Sequence, residues 1–299
     1  MIINRLKMNR NLLKLTAIAL CSMMALPLSA QKAGSIRIGA HRGFWKCEEA
    51  GGAQNSIAAL KQAQDCNLWG SEFDVHLTAD NEVVVHHDPD IQGVSIQKSD
   101  LATIREFKLK NGEVVPTLDE YLTQGEKCAA TVLVLEFKKQ YSEERENRMV
   151  DITLEKLKAH GLYNPERVIF ISFSKNICLK IAKDAPEFTN QYLKGEIAPS
   201  DLHKMGINGI DYQDKVIYAH PEWVKEAQDL GMSVNVWTVD NEKDIQAMID
   251  LGVDCITTNE PLLTRKLLGS SELRAEAESC GKCNGGCSAG GCSGGCRCR

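Results

Sequence analysis

At 299 residues, 43% hydrophobic and 25% charged, the chain can bury a full core and has an ordinary globular composition, so one large domain is the simplest organisation. Residues 1–30 carry four basic side chains and no acid; without them thirty-one basic face forty acidic side chains, a net charge of −9. So acidic an exterior argues against nucleic acid and anionic membrane surfaces as partners, and a phosphate ligand would need positive charge gathered locally.

In chain order, Arg5, Lys7, Arg10 and Lys14 precede or interrupt an apolar run from Leu12 to Leu28, which ends in small residues at Ser29-Ala30 before Gln31. The run is too short to span a bilayer and has a cleavage-site ending, so residues 1–30 read as a secretory signal peptide of a periplasmic or secreted protein. Met8 is an alternative start. Cys21 follows Ile18-Ala19-Leu20, and the leucine directly before it argues against lipid anchoring there.

Residues 31–269 form the predicted folded domain. Apolar, β-branched runs alternate there with segments of helical period, the pattern of βα units on a parallel sheet. Eight strands are expected: Ser35 to Ala40, Gly70 to Val75, Val132 to Phe137, Val168 to Ser172, Gln191 to Lys194, Gly209 to Tyr212, Ser233 to Thr238 and Asp254 to Thr257. A companion run, Glu82 to His86, follows the second. Helices are expected over Ser56 to Cys66, Glu143 to His160, Pro221 to Leu230 and Asn241 to Leu251, the last three each followed at once by glycine.

Eight such units suit a (β/α)8 TIM barrel. An open doubly wound sheet competes, but Gly39-Ala40-His41-Arg42-Gly43 is not the glycine-rich phosphate turn such a sheet carries after its first strand. The polar stretch from Asp90 to Glu113 interrupts the rhythm and reads as a small insertion covering the barrel mouth. Residues 270–299 form a low-complexity Cys/Gly-rich tail with six of the chain's twelve cysteines and, after Leu273, no large apolar side chain, so it is expected to be disordered. Its cysteine spacing fits no standard zinc module; it is a flexible appendage or an opportunistic thiolate metal binder. Cys47, Cys66, Cys128, Cys178 and Cys255 are odd in number, so at least one is expected to be a free core thiol.

The chemistry-bearing residues stand at predicted C-terminal strand ends: His41, Glu72, Asp74, His87 and Glu136. Carboxylates at i and i+2 on a strand share a face, so Glu72 and Asp74 can grip one oxygen-loving cation, while two histidines supply a proton acceptor and a donor near neutral pH. Arg42 offers a planar fork to phosphate oxygens, and Lys138, on the face of Glu136, adds a point charge. Trp237 either lines an apolar wall for the ligand's alcohol portion or fills the barrel. Phe44 and Trp45 are placed as a lip over the site, Trp69 between helix and strand, His76 beside the site, and His86 outside it.

Taken together, His41-Arg42-Gly43, Glu72-Phe73-Asp74, Val83-Val84-Val85-His86-His87-Asp88, Leu135-Glu136-Phe137-Lys138, Val236-Trp237-Thr238-Val239 and Thr257-Thr258-Asn259-Glu260-Pro261 resemble the glycerophosphodiester phosphodiesterase family over about Ile36 to Leu267. The resemblance implies a TIM barrel, His41 and His87 as the acid/base pair, and Glu72, Asp74 and Glu136 as ligands of one divalent cation. Three carboxylates suit Mg²⁺ or Ca²⁺. It implies a small glycerophosphodiester as substrate. Where the family has Pro-Glu-Asn-Thr, this chain has Ala53-Gln54-Asn55-Ser56, which removes one negative charge near the site. Two alternatives remain: a lipid phosphodiesterase of the sphingomyelinase D or phosphoinositide type, and a non-enzymatic periplasmic metal- or phosphate-binding protein. The polar insertion disfavours the first and the full set of site residues the second.

Overall fold

The computed structural model describes residues 36–269. The predicted signal peptide, Cys21 and the Cys/Gly-rich tail lie outside the described residues. Eight parallel strands close on themselves: β1 (Arg37–Ala40), β2 (Gly70–Leu77), β3 (Val132–Phe137), β4 (Val168–Ser172), β5 (Thr189–Tyr192), β6 (Gly209–Gln213), β7 (Ser233–Trp237) and β8 (Cys255–Thr258). Closure is made by β1, which pairs with β8 from Arg37↔Cys255 to Ala40↔Thr258 and with β2 through Gly39↔Gly70 and Ala40↔Ser71. This is the (β/α)8 barrel implied by the sequence. Val83–Val85 adds an antiparallel strand to β2.

Strand alternation divides the side chains between two cores. In β3, Leu133, Leu135 and Phe137 point outward and pack with Met149, Val150 and Leu157 of the helix Glu143–Ala159. Val132 and Val134 instead share a second cluster with Ile169, Ile171 and Leu193. Each such side chain taken fully from water contributes about 1.5–3 kcal/mol. Trp69 belongs to this second cluster and has the Arg37 guanidinium 5.0 Å over its ring, so it fills the barrel and does not wedge between helix and strand as expected. Phe44 is also displaced from its expected place. It is buried with Ile38, Ala40, Ala63 and Leu68, behind the first strand, because its backbone N–H is drawn to Ala59 O.

The helices follow local chemistry. Ser56 caps Ile57–Asp65 by accepting from Ala59 N, and Glu143–Ala159 opens with Glu143, Glu144 and Glu146 and ends with Lys156 and Lys158, matching the helix dipole at both ends. Helices over Leu118–Gly125, Lys175–Asp184, Pro199–Lys204 and Asp214–Ala219 were not among those expected from the sequence. The strand β5 begins two residues earlier than predicted. Its first two positions, Thr189 and Asn190, are polar, yet the Asn190 backbone N–H donates to Asn208 Oδ1 and its side chain to Cys178 O, which holds them in the sheet.

The insertion is folded. It forms a two-stranded hairpin, Asp90–Ile91 with Val94–Ser95, then a short helix, Leu101–Ile104, over a small core of Val84, Ile91, Ile96, Ile104 and Val115. Glu113 accepts from the backbone N–H groups of Ile57 and Ala58 at 2.8 and 3.1 Å, bracing the first helix. None of the residues 90–113 lines the cavity at the barrel mouth, so the insertion flanks that mouth and does not cover it. Cys47, Cys66, Cys128, Cys178 and Cys255 are all free thiols, with Cys178 and Cys255 buried. Among the described residues no helix is long and apolar enough to cross a membrane.

Candidate active site

Parallel strands in a barrel deliver their C-terminal ends to one face, where His41, Glu72, Asp74 and Glu136 stand, and the antiparallel strand Val83–Val85 leads back to place His87 at the same cavity. Register places Asp74 of β2 beside Glu136 of β3, and Glu72 lies two residues earlier on the same face as Asp74. Ligand oxygens of Glu72, Asp74 and Glu136, all buried, lie within 4.8 Å of one another, so this triad can hold a metal ion. One observation supports that use directly: Glu72 Oε1 is buried with no hydrogen-bond partner, whereas its other oxygen accepts from the Arg42 backbone N–H at 2.7 Å. An oxygen left open in this way suits a cation.

The turn after β1 is shaped to make that contact. Arg42 and Gly43 both have left-handed backbones, φ 57° and 75°, and Gly43 N donates to Glu72 O at 2.9 Å. A Cβ on Gly43 would lie 2.7 Å from Ala59 Cβ, so only glycine fits. The Arg42 side chain donates to Gln54 Oε1 at 2.6 Å and its Nε lies 3.9 Å from Asp74 Oδ2. Lys138 does not stand free for a phosphate. Its ammonium lies 3.1 Å from Asp74 Oδ1 and 2.8 Å from Glu136 Oε1.

These neighbours set the charge states. Burial, then Asp74 and Glu136, push the Glu72 carboxyl well up. Burial would raise Asp74 too, but Lys138, then His87, Asn55 and Arg42, bring it down to about 2. Glu136 rises to about 8 through burial and Asp74, only partly offset by Lys138. Burial would lower Lys138, yet Asp74 and Glu136 outweigh it and hold the ammonium charged. Three carboxylates around one ammonium are short of positive charge, which a dication would supply.

His41 is lowered to about 4, first by burial and then by Arg42. Its Nδ1 lies 3.0 Å from Asn259 Oδ1. The Asn259 amide is itself oriented, because its Nδ2 donates to Asp240 Oδ2 at 2.8 Å. Oδ1 therefore must accept, His41 carries its proton on Nδ1, and Nε2 is left with a free lone pair. Trp45 Nε1 donates to the same Asn259 oxygen, so Trp45 supports His41 and forms no lip over the cavity. His87 is about a third exposed, its Nδ1 is 2.7 Å from Asp88 Oδ1, and burial lowers it. His76 is buried beside the site as expected, its Nε2 3.2 Å from His87 O, while His86 lies outside the cavity, bonded to the Asp88 backbone.

His41, Arg42, Glu72, His87, Glu136 and Lys138 all line one cavity of about 190 Å³. Trp237 lines it too, edge-on to Phe173, with its Nε1 donating to Asp211 O. The motif reading gave Asn55 and Asn259, which stand within its motifs, no role at the site, and it passed over Asp240 and Asp211. Asn55 grips Asp74 twice, accepting from its backbone N–H and donating to Oδ2 at 2.8 Å.

Residues 41–263 match the glycerophosphoryl diester phosphodiesterase family. The chain belongs to that family. A glycerophosphodiester phosphodiesterase from Caldanaerobacter subterraneus subsp. tengcongensis is 30% identical over 239 residues, covering 74% of this chain and 93% of that relative. One from Bacillus subtilis is 26% identical, covering 84% and 94%. A crystal structure of a glycerophosphodiester phosphodiesterase from Parabacteroides distasonis is 42% identical, with a TM-score of 0.77, and covers 80% of this chain and 98% of that one. The family match spans every strand-end residue named above, from His41 to Glu136.

Proposed function

We propose that this family member is an exported, divalent-cation-dependent phosphodiesterase that cleaves small glycerophosphodiesters to glycerol 3-phosphate and an alcohol. The observation that carries the reading is the convergence of three buried carboxylates, two histidines and two cationic side chains on one small cavity. Export rests on the basic-then-apolar run of residues 1–30. A cation held by Glu72, Asp74 and Glu136, with Mg²⁺ or Ca²⁺ the best fit to an all-oxygen donor set, would polarise a phosphate oxygen.

The protein's own groups divide the remaining work. His41, neutral and with Nε2 unprotonated, takes the proton from the attacking hydroxyl, which in this family resemblance is the substrate glycerol's own. His87 is the less desolvated of the pair, and its Nδ1 contact with Asp88 favours the protonated ring, so of the two it is the better placed to deliver a proton to the leaving alcohol oxygen. The cyclic phosphate so formed is opened by water with the two roles reversed. Arg42 and Lys138 offset charge on the non-bridging oxygens once a dication satisfies the carboxylates they now face. The cavity is smaller than the ~300–1,000 Å³ of drug-sized sites, and the insertion's large apolar residues are buried or partly buried in its own small core, with none exposed, which disfavours a lipid-cleaving lip there.

The test is release of glycerol 3-phosphate from glycerophosphocholine and glycerophosphoethanolamine with and without EDTA, by the full chain and by a form ending at Gly269. Turnover abolished by EDTA and equal in both forms is expected. No turnover on any diester overturns the reading, and turnover indifferent to EDTA overturns its cation dependence.

A further inference from the structure

One buried acid in the cavity has no part in the chemistry above. Asp211, in the middle of β6, is 1% exposed and lines the same cavity, and its Oδ1 has no hydrogen-bond partner. The Asn235 side chain gives the carboxyl one hydrogen bond. Asn235 is otherwise engaged with Thr257, at 3.0 Å from Nδ2 to Oγ1, so this pair needs nothing from Asp211. The positive groups of the site do not need it either, since Arg42 faces Gln54 and Asp74 and Lys138 faces Asp74 and Glu136.

A buried polar atom without a partner is destabilising, by about 1–3 kcal/mol, and an apolar side chain would be easily housed beside Ile171 and Leu193. Keeping a carboxyl here makes sense if a ligand completes it. We propose that Asp211 is a specificity residue that binds a hydroxyl of the esterified glycerol while the phosphate lies between His41 and His87. The inference rests on the glycerophosphodiester reading and adds the group that recognises the polyol.

Charge favours a hydroxyl over the other candidates. Burial raises the Asp211 carboxyl to about 8, only partly countered by Asn235, so it is mostly protonated near neutral pH. A protonated carboxyl both donates and accepts, as an alcohol does, and adds no repulsion toward the phosphate. A quaternary ammonium would meet no charge there. A site built to satisfy a substrate hydroxyl discriminates strongly against ligands that lack it, because its own buried group is then left unpaired.

The experiment compares, by calorimetry on the full chain with divalent cation present, glycerol 3-phosphate and propyl phosphate, which differ by the two hydroxyls. The wild type is expected to bind glycerol 3-phosphate about 10-fold or more tightly than propyl phosphate. Asp211→Ala should lower that ratio several-fold, leaving only what the His41 contact to the other hydroxyl contributes, and the near-isosteric Asp211→Asn, which covers the case of an unfolded alanine variant, should keep more of it. A wild-type ratio near one, or a ratio unchanged in the variants although both ligands weaken together, overturns the proposal. Turnover of glycerophosphocholine by the wild type is measured alongside: turnover with an Asp211-independent ratio sinks only this inference, whereas absent turnover sinks the reading beneath it.

Discussion

Lys138 offers the sharpest test of how the site balances its charge. Its ammonium, 2.8 Å from Glu136 and 3.1 Å from Asp74, is the only cation among the described residues in contact with both carboxylates. Above pH 8, where Glu136 as well as Asp74 is ionised, each contact has a gross attraction of about 5–6 kcal/mol at an effective dielectric of about 20, much of it offset by the desolvation of three buried ions. Removing one partner of such a cluster destabilises by about 3–5 kcal/mol, because the remaining charges are stranded. Lys138→Met is therefore expected to lose about 3–5 kcal/mol in EDTA, a fall in melting temperature on the order of 10 °C for a domain of this size. The cation dependence is the discriminating part. A dication bound by the triad also stabilises the wild type, but it replaces the missing charge only in the variant, whose affinity should therefore be the higher; each 10-fold of extra affinity narrows the gap to the wild type by about 1.4 kcal/mol in excess Mg²⁺ or Ca²⁺. Urea unfolding of both proteins in EDTA and in excess cation measures this. A gap of the same size in both conditions, or one below about 1 kcal/mol in EDTA, refutes the argument that Lys138 and a cation serve the same carboxylates.

Three further outcomes follow from the geometry. His41→Ala should lower kcat by about 10²–10⁴ while cation affinity stays near wild type, whereas Glu72→Gln should weaken cation binding and turnover together; equal loss of cation by both, read by calorimetry, contradicts the division of roles. Asn259→Leu removes the acceptor that holds His41 Nδ1–H, so kcat should fall at least about 10-fold, yet less than for loss of His41 itself, with KM little changed; wild-type kcat would show that the Asp240–Asn259–His41 chain positions nothing. Finally, burial lowers His76 from 6.5 to about 4, so the unfolded chain binds a proton the folded one refuses. Stability contributed by His76 is then lost as pH falls from 6.5 toward 4, at up to about 1.4 kcal/mol per pH unit, and His76→Asn should make the unfolding free energy flatter over that window; an identical slope would place the titration elsewhere.

The barrel was legible because its signals are local. A strand buried on both faces is an apolar β-branched run, and Gly161, Gly231 and Gly252 end helices by taking the left-handed conformation, so both are visible without knowing the fold. The failures are local as well. Thr117 and Glu120 form a complete capping box at the head of Leu118–Gly125, a signal present in the sequence and overlooked beside the insertion. Trp69 and Phe44 were misplaced for a different reason: which side of a barrel wall an aromatic ring takes depends on strand alternation and turn geometry at a resolution of one residue.

The site divides along the same line. Residues whose chemistry is carried by their own strand, Glu72 with Asp74 and Glu136 with Lys138, could be paired from an i, i+2 spacing. Residues that act through closure could not. Asn259 meets His41 across 218 residues only because β8 lies against β1, and Asn55 reaches Asp74 only because its left-handed backbone turns it back over β2. Asp211 is the extreme case, since no motif surrounds it and its neighbours Ile210 and Tyr212 face the other core. What it does offer to a reader of the sequence is a contradiction, a carboxyl at an inward position of a strand otherwise too apolar to solvate it. A buried acid with one oxygen unmet either weakens the fold or awaits a partner, and in a cavity open to ligand the second alternative has a chemical reason to be selected.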